Sequence, residues 1–174
     1  MTHREGKFCL GLLLIVLGPH RLAAQNPVVT ELRKEWGRAR QQFMAVAEAM
    51  PEDKYEYRPT PKVRTFREIL IHVLGENMSW MESVAGVPKP GAADRYDKLK
   101  TRAELLKALS AYLDYGTKVM DGMTDQKIME SVPFRDGRSL RLAIVLQAIG
   151  HTYRNFGHLD TYVRSNNIIP RSRE

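Results

Sequence analysis

Cysteine is nearly absent from this 174-residue chain, and its single occurrence, Cys9, sits in an N-terminal apolar stretch. The remainder therefore offers no disulfide, no thiolate nucleophile and no cysteine-based zinc site. Long apolar runs are missing as well. The most apolar stretch, Phe8 to Leu17 with CLGLLLIVL at its heart, is too short for a stable bilayer span, which wants about 20 residues. No run of alternating apolar and polar residues marks a convincing strand. No Lys/Arg run reaches five residues, and no aromatics interleave with a basic patch. The net charge of +7 thus reads as a solvated surface that favours anionic surfaces modestly, and nucleic acid is not an expected partner. Internal repeats and low-complexity segments are absent too.

What is present begins with a targeting pattern. Arg4 and Lys7 precede the apolar run, and Pro19 and the small pair Ala23-Ala24 follow it. That order of basic, apolar and small-residue segments is the signature of a secretory signal peptide. Residues 1–24 are expected to be cleaved, although Leu22 is a poor residue three positions before the cut; an uncleaved N-terminal anchor is the alternative. Export places residues 25–174 in the periplasm or outside the cell, with no stable membrane span. Cleavage removes Arg4, Lys7, Arg21 and Glu5, which lowers the net charge from +7 to +5. Cys9 precedes the apolar run instead of following it, so it is not a lipoprotein attachment site.

Residues 25–174 are long enough for one domain with a real core, and four segments of them carry helical periodicity. The first opens at Asn26-Pro27, an N-cap followed by proline at the first helical position. Leu32, Trp36, Ala39, Phe43, Val46 and Met50 trace its apolar face, and Pro51 stops it. The proline-punctuated connector PEDKYEYRPTPKVR follows. Thr65 and Glu68 (TFRE) form a capping box that starts the second helix. Phe66, Ile69, Leu70, Val73, Asn77, Trp80, Met81 and Val84 line its face, with Asn77 the one polar member. After a loop of Gly86, Pro88, Pro90 and Gly91, a second capping box, Thr101 to Glu104, starts a third helix. Its inward positions are Leu105, Leu109, Leu113 and Val119. Residues 124–138 form a connector with a turn at Asp136-Gly137, where VPFRDGRSL can form a short hairpin. The fourth helix runs from about Ser139 to Arg164 and is expected to bury Leu140, Ile144, Ala148, Ile149, Phe156, Leu159 and Val163. Four amphipathic helices and no sheet predict an all-α, antiparallel four-helix bundle. The two connectors flanking the second helix are long enough for a crossover.

Polar residues at the edges of two apolar faces are the candidates for chemistry. His72 lies at the edge of the second helix's face, with Glu76 one turn later on the same edge. Gln147, His151, Asn155 and His158 lie along one edge of the fourth helix. If those edges meet, His72, Glu76, Gln147, His151 and Asn155 share a semi-buried polar pocket. Imidazole and carboxylate suit zinc, nickel or iron, and the same histidines can serve as general bases near neutral pH. Against this, a histidine on a helix edge is usually a hydrogen-bonded structural residue, and a glutamate there usually faces water or a base. His158 lies about 10.5 Å along the helix axis from His151, so the two cannot readily share an ion. His151 and Asn155, about 6 Å apart, can converge. A carboxamide oxygen is nevertheless a poor ligand for a borderline-soft transition metal. His3 and His20 belong to the targeting segment.

Two stretches, PTPKVRTFREILIHV and HTYRNFGHLDTYVRSNNIIP, resemble the DinB/YfiT-like superfamily, and the likeness covers the chain from Asn26 to Pro170. Similar exported proteins end in a helix with His-x-x-x-His, an aromatic or Arg followed by Gly, then Thr-Tyr, Arg and a proline. Phe156-Gly157, Thr161, Tyr162 and Arg164 match that ending. The resemblance implies a four-helix bundle, often dimeric, whose divalent metal is held by three histidines. The first maps onto His72 and the second onto His151. The third maps onto Asn155, where this sequence departs from the pattern, and His158 falls where the family places no ligand. Some family members transfer low-molecular-weight thiols or act as metal-dependent hydrolases or isomerases.

Two functions follow as expectations. In one, the domain is a metal-dependent hydrolase or S-transferase. His72 and His151 hold a zinc, nickel, iron or manganese ion, Asn155 or water fills the third place, and Glu76 is a fourth ligand or the catalytic base. Loss of one imidazole lowers the expected metal occupancy, and export counts against a cytosolic thiol cosubstrate. In the other, the bundle is non-catalytic and binds a small molecule or partner through the same pocket.

Overall fold

The computed structural model describes residues 26–87 and 93–170. The proposed signal segment and the Pro88–Gly91 part of the connector lie outside the described residues.

Helix α1 (Pro27–Ala49) begins at a proline as expected, but Asn26 does not cap it with its side chain. The cap comes from far along the chain. Asp125 accepts hydrogen bonds from the Val28 and Val29 N–H groups at 3.1 and 2.9 Å, and its own N–H donates to Asn26 Oδ1 at 2.8 Å. A carboxylate satisfies the free amides of a helix N-terminus better than a neutral amide does, so the tertiary cap replaces the local one. Helix α2 (Phe66–Ala85) and helix α3 (Arg102–Asp121) each start in the capping box read from the sequence, at Thr65–Glu68 and Thr101–Glu104. Gly86 ends α2 with a left-handed φ of 86°, a conformation that costs glycine little. A one-turn helix, α4 (Asp125–Ile128), leads into strands β1 (Ser131–Phe134) and β2 (Gly137–Leu140). The strands pair antiparallel with Ser131 opposite Leu140 and Phe134 opposite Gly137, as VPFRDGRSL anticipated. Helix α5 (Arg141–Ser165) completes the fold. Leu140, assigned above to that helix's buried face, instead ends β2 and is 39% exposed. Phe156 is only half-buried.

The bundle runs up, down, down, up. Arg33, near the start of α1, donates to the Met120, Asp121 and Met123 carbonyls at the end of α3, so these two helices are antiparallel. Arg141 at the start of α5 reaches the Val84 carbonyl at the end of α2, and the Tyr162 hydroxyl donates to the Arg64 carbonyl at 3.0 Å. Thus α2 and α5 are antiparallel as well. Tyr153 donates to Glu35, and Lys54 to Asn166, which sets α1 parallel to α5. The Asn77–Tyr112 bond and the packing of Met78 and Glu82 beside Ala111, Tyr115 and Lys118 make α2 parallel to α3. The lengthwise crossover therefore falls between α2 and α3. There Arg95 ties the connector to buried Glu82 at 3.1 Å. Every apolar position read from the first three helices is buried, from Leu32 and Trp36 to Val119. Among the described residues, no helix is long and apolar enough to cross a membrane.

Trp36 packs where α1 meets α3, edge-on to Tyr112 with ring centroids 5.7 Å apart. Gly116 makes that close approach possible, because a Cβ there would lie 2.1 Å from the Trp36 ring. Alanine normally gains up to about 1 kcal/mol over glycine in a helix, whereas an overpacked core loses about 1–3 kcal/mol. The rigid ring leaves little room, so the clash outweighs the propensity. Gly116→Ala is expected to destabilise the protein by about 1–3 kcal/mol in urea denaturation. Gly37→Ala, on the exposed side of α1 with nothing within 4 Å, is expected to stabilise it by up to about 1 kcal/mol.

Candidate functional site

His72 lies in the second turn of α2 and His151 near the middle of α5, and the antiparallel packing of these helices brings them face to face. Their Nε2 atoms are 3.0 Å apart, with ring centroids at 4.9 Å. His151 is buried, with the Trp80 ring 5.1 Å away on another side. His72 is half-buried and faces an open cleft of about 1440 Å³ between α2, α5 and the connector that precedes α2. Glu76, Asn155 and His158 line the same cleft. The structure thus brings His72, His151 and Asn155 together, with Glu76 one turn from His72. His158 is an exposed residue of the wall. Gln147, which the helical wheel placed in the pocket, is exposed and outside it. It lies one turn before His151, where α5 has already left the cleft.

Asn77 orients the pair from beneath. Its Nδ2 donates to Tyr112 Oη at 3.1 Å and to Thr152 Oγ1 at 2.9 Å, and its Oδ1 lies 2.8 Å from His151 Nδ1. The Thr152 hydroxyl spends its proton on the Ala148 carbonyl at 2.9 Å, so it can only accept from Asn77. That requirement points the amide nitrogen at Thr152 and the amide oxygen at His151. His151 must therefore carry its proton on Nδ1. Its Nε2 lone pair is left facing His72, whose own Nε2–H donates to it when both rings are neutral.

Burial, followed by the charges of His72, Arg154 and Arg64, pulls the His151 pKa down to about 4. His72 is lowered as well, by burial and then by Arg64, while Glu76 opposes the shift. Both imidazoles are thus held neutral, the form in which a nitrogen can bind a metal or accept a proton.

The fit to a metal is partial. Two imidazole nitrogens around a tetrahedral zinc, each at about 2.0–2.1 Å, are about 3.4 Å apart, so His72 and His151 need open by only a few tenths of an ångström. Asn155 donates from Nδ2 to the His151 carbonyl at 2.8 Å, which turns its Oδ1 away from that bond and leaves it able to ligate. Among the described residues, no group of three or more His, Cys, Asp or Glu side chains could hold an ion. Sequence reading noticed Asn77 but gave it no role. Its signal was a lone amide within the apolar face of the second helix. Tyr112 and Thr152 carried no local signal.

Four long helices packed in this order define a class of protein. A family model for the DinB superfamily matches residues 35–159, and the chain belongs to that superfamily. Its fold is similar to that of a DinB-like protein from Bacillus cereus, with a TM-score of 0.70 at 10% identity over 82% of this chain and 95% of the other. It is also similar to a DinB-like protein from Bacillus subtilis, with a TM-score of 0.63 at 18% identity over 79% of this chain and 92% of the other. No curated protein matches the chain.

Burial of a neutral histidine couples folding to pH. An unfolded histidine titrates near 6.5 and folded His151 near 4, so the unfolded chain binds more protons between these values. The stability His151 contributes is complete above about pH 6.5 and is lost as pH falls towards 4. The loss is expected to be on the order of 2 kcal/mol. His151→Gln should show a smaller slope of unfolding free energy against pH than the wild type across that window.

Proposed function

We propose that the cleft is the active site of a metal-dependent hydrolase or S-transferase. The observation that carries this reading is the His72–His151 pair, two neutral imidazoles 3.0 Å apart, of which His72 lines an open cleft. Asn77 fixes one of them in the tautomer a metal requires. His72 and His151 are the nitrogen ligands, each through Nε2, and Asn155 Oδ1 or water would fill the third place. A divalent zinc, nickel, iron or manganese ion supplies Lewis-acid activation of a water or a substrate thiol when bound. Glu76, half-buried on the same cleft, serves as fourth ligand or takes the proton that the water or thiol gives up on attack. Asn77 plays the part that an outer carboxylate or carbonyl plays for a metal-bound histidine, holding Nδ1–H so that the ring cannot turn.

The mature domain is expected to retain one of these metals, or to melt at a higher temperature with it, and His72→Ala or His151→Ala should abolish the effect. Asn155→His should tighten affinity about 10–100-fold, the range that a strong supporting contact commands at such sites. Elemental analysis and thermal shifts against zinc, nickel, iron and manganese measure both. Absence of retained metal and of any thermal shift in the wild type rejects the enzyme reading in favour of a non-catalytic pocket for a small ligand. Unchanged affinity in Asn155→His rejects the placement of the third ligand.

A further inference from the structure

The cleft carries more positive charge than its own acids neutralise. Of its basic residues, Arg67 is paired with Glu56 at 2.7 Å. Glu68, among its acids, is committed to the capping box, where it accepts from the Thr65 N–H at 2.7 Å. That carboxylate keeps its charge, so Lys62, Arg64, Lys100 and Arg154 face Glu68, Glu76 and Asp97, an excess of one positive charge. Arg64 and Arg154 are the two whose charges are felt at the histidine pair. They come from different elements, the end of the connector and the middle of α5, and the charges of both act on both His72 and His151. Among the described residues neither guanidinium has an ion-pair partner, whereas the nearby Arg164 is paired with Asp160 at 2.7 Å. The Arg64 backbone is held in place, because its carbonyl accepts the Tyr162 hydroxyl at 3.0 Å.

Two guanidinium groups without ion-pair partners among the described residues therefore line the same cleft as His72. An arrangement of that kind suits an oxyanion. Guanidinium groups are matched to carboxylate and phosphate oxygens, which they bind through paired, charge-assisted hydrogen bonds. An anion in the cleft is attracted by the two arginines and repelled by the Glu76 carboxylate.

We propose that Arg64 and Arg154 bind the oxyanion group, carboxylate or phosphate, of a small anionic ligand and so place the rest of that molecule against His72. This names the substrate class of the active site proposed above and rests on that reading for its catalytic meaning, although the binding itself needs no metal. His72 and His151 remain the groups at the reacting atoms, and the arginines are positioning residues.

The test is isothermal titration of the metal-free mature domain, in chelator and at constant ionic strength, with inorganic phosphate and with succinate as probes. Saturable binding of at least one probe is expected, with Arg64→Gln and Arg154→Gln each weakening it about tenfold and the double variant abolishing it. Lys118→Gln removes a positive charge from a different groove, between α2 and α3, and should bind as the wild type does. Preference for phosphate or for succinate identifies which oxyanion the site takes. Failure of both probes to bind, or equal weakening by Lys118→Gln, overturns the proposal. If metal loads and neither anion binds, this inference falls alone. If the anion binds and no metal loads, the metal reading falls alone.

Discussion

Asn77 is a primary amide placed in the apolar interior, where α2, α3 and α5 meet, and its hydrogen bonds hold all three together. In that setting each unmade hydrogen bond costs about 1–3 kcal/mol, so the amide tolerates few arrangements of its neighbours. Both of its N–H groups and its carbonyl have partners, on Tyr112, Thr152 and His151. The Tyr112 ring is in turn packed against Trp36 of α1, and Trp36 sits there because α3 has a glycine at position 116. A line of contacts therefore runs from the first helix, through the core, to the buried imidazole of His151, which meets His72 at the cleft. The orientation of His151 is a consequence of how the bundle packs.

Burial and charge act on the histidine pair in the same direction. Removing the rings from water penalises their protonated forms, and Arg64 and Arg154 add to that penalty. A purely structural histidine pair needs neither a cleft beside it nor two cations near it. In this molecule the pair sits at the boundary between a dry core, where Asn77 and Trp80 fix one ring, and an open cleft, where the other ring meets solvent and charge. Such a boundary lets a site be both rigid and accessible. Asn155, one turn further along α5, donates to the carbonyl of His151 and so binds into the helix beside the pair.

Much of the fold was legible because its signals are local. The Thr65–Glu68 and Thr101–Glu104 boxes act within three residues, and the apolar stripes of the first three helices recur at the helical period, so both survive in the one-dimensional chain. Errors arose where a distant residue or a change of element intervened. Asn26 looked like a cap because its residue type is favoured there, yet Asp125 arrives from the other side of the fold to do that work. Leu140 fits the helical period of α5, but the hairpin pairs it with Ser131 first. Gln147 shares an edge with Asn155 and His158 on a helical wheel, yet the wheel has no length axis and cannot show that the cleft ends before Gln147.

The sequence by itself determined four amphipathic helices, the capped starts of the second and third, a turn suited to a hairpin, and His72, His151 and Asn155 at the edges of two apolar faces. These follow from spacing, and spacing is a property of the chain alone. Only the tertiary structure decided the up-down-down-up order that faces α2 with α5, and hence that His72 and His151 touch. It alone decided that Thr152 spends its proton on Ala148, which turns the Asn77 amide and fixes the His151 tautomer. It also decided that Arg64 and Arg154, 90 positions apart, share one cleft, neither with an ion-pair partner among the described residues. Each of these depends on distances across the bundle, where the energy of a buried hydrogen bond or charge is set by which groups happen to meet.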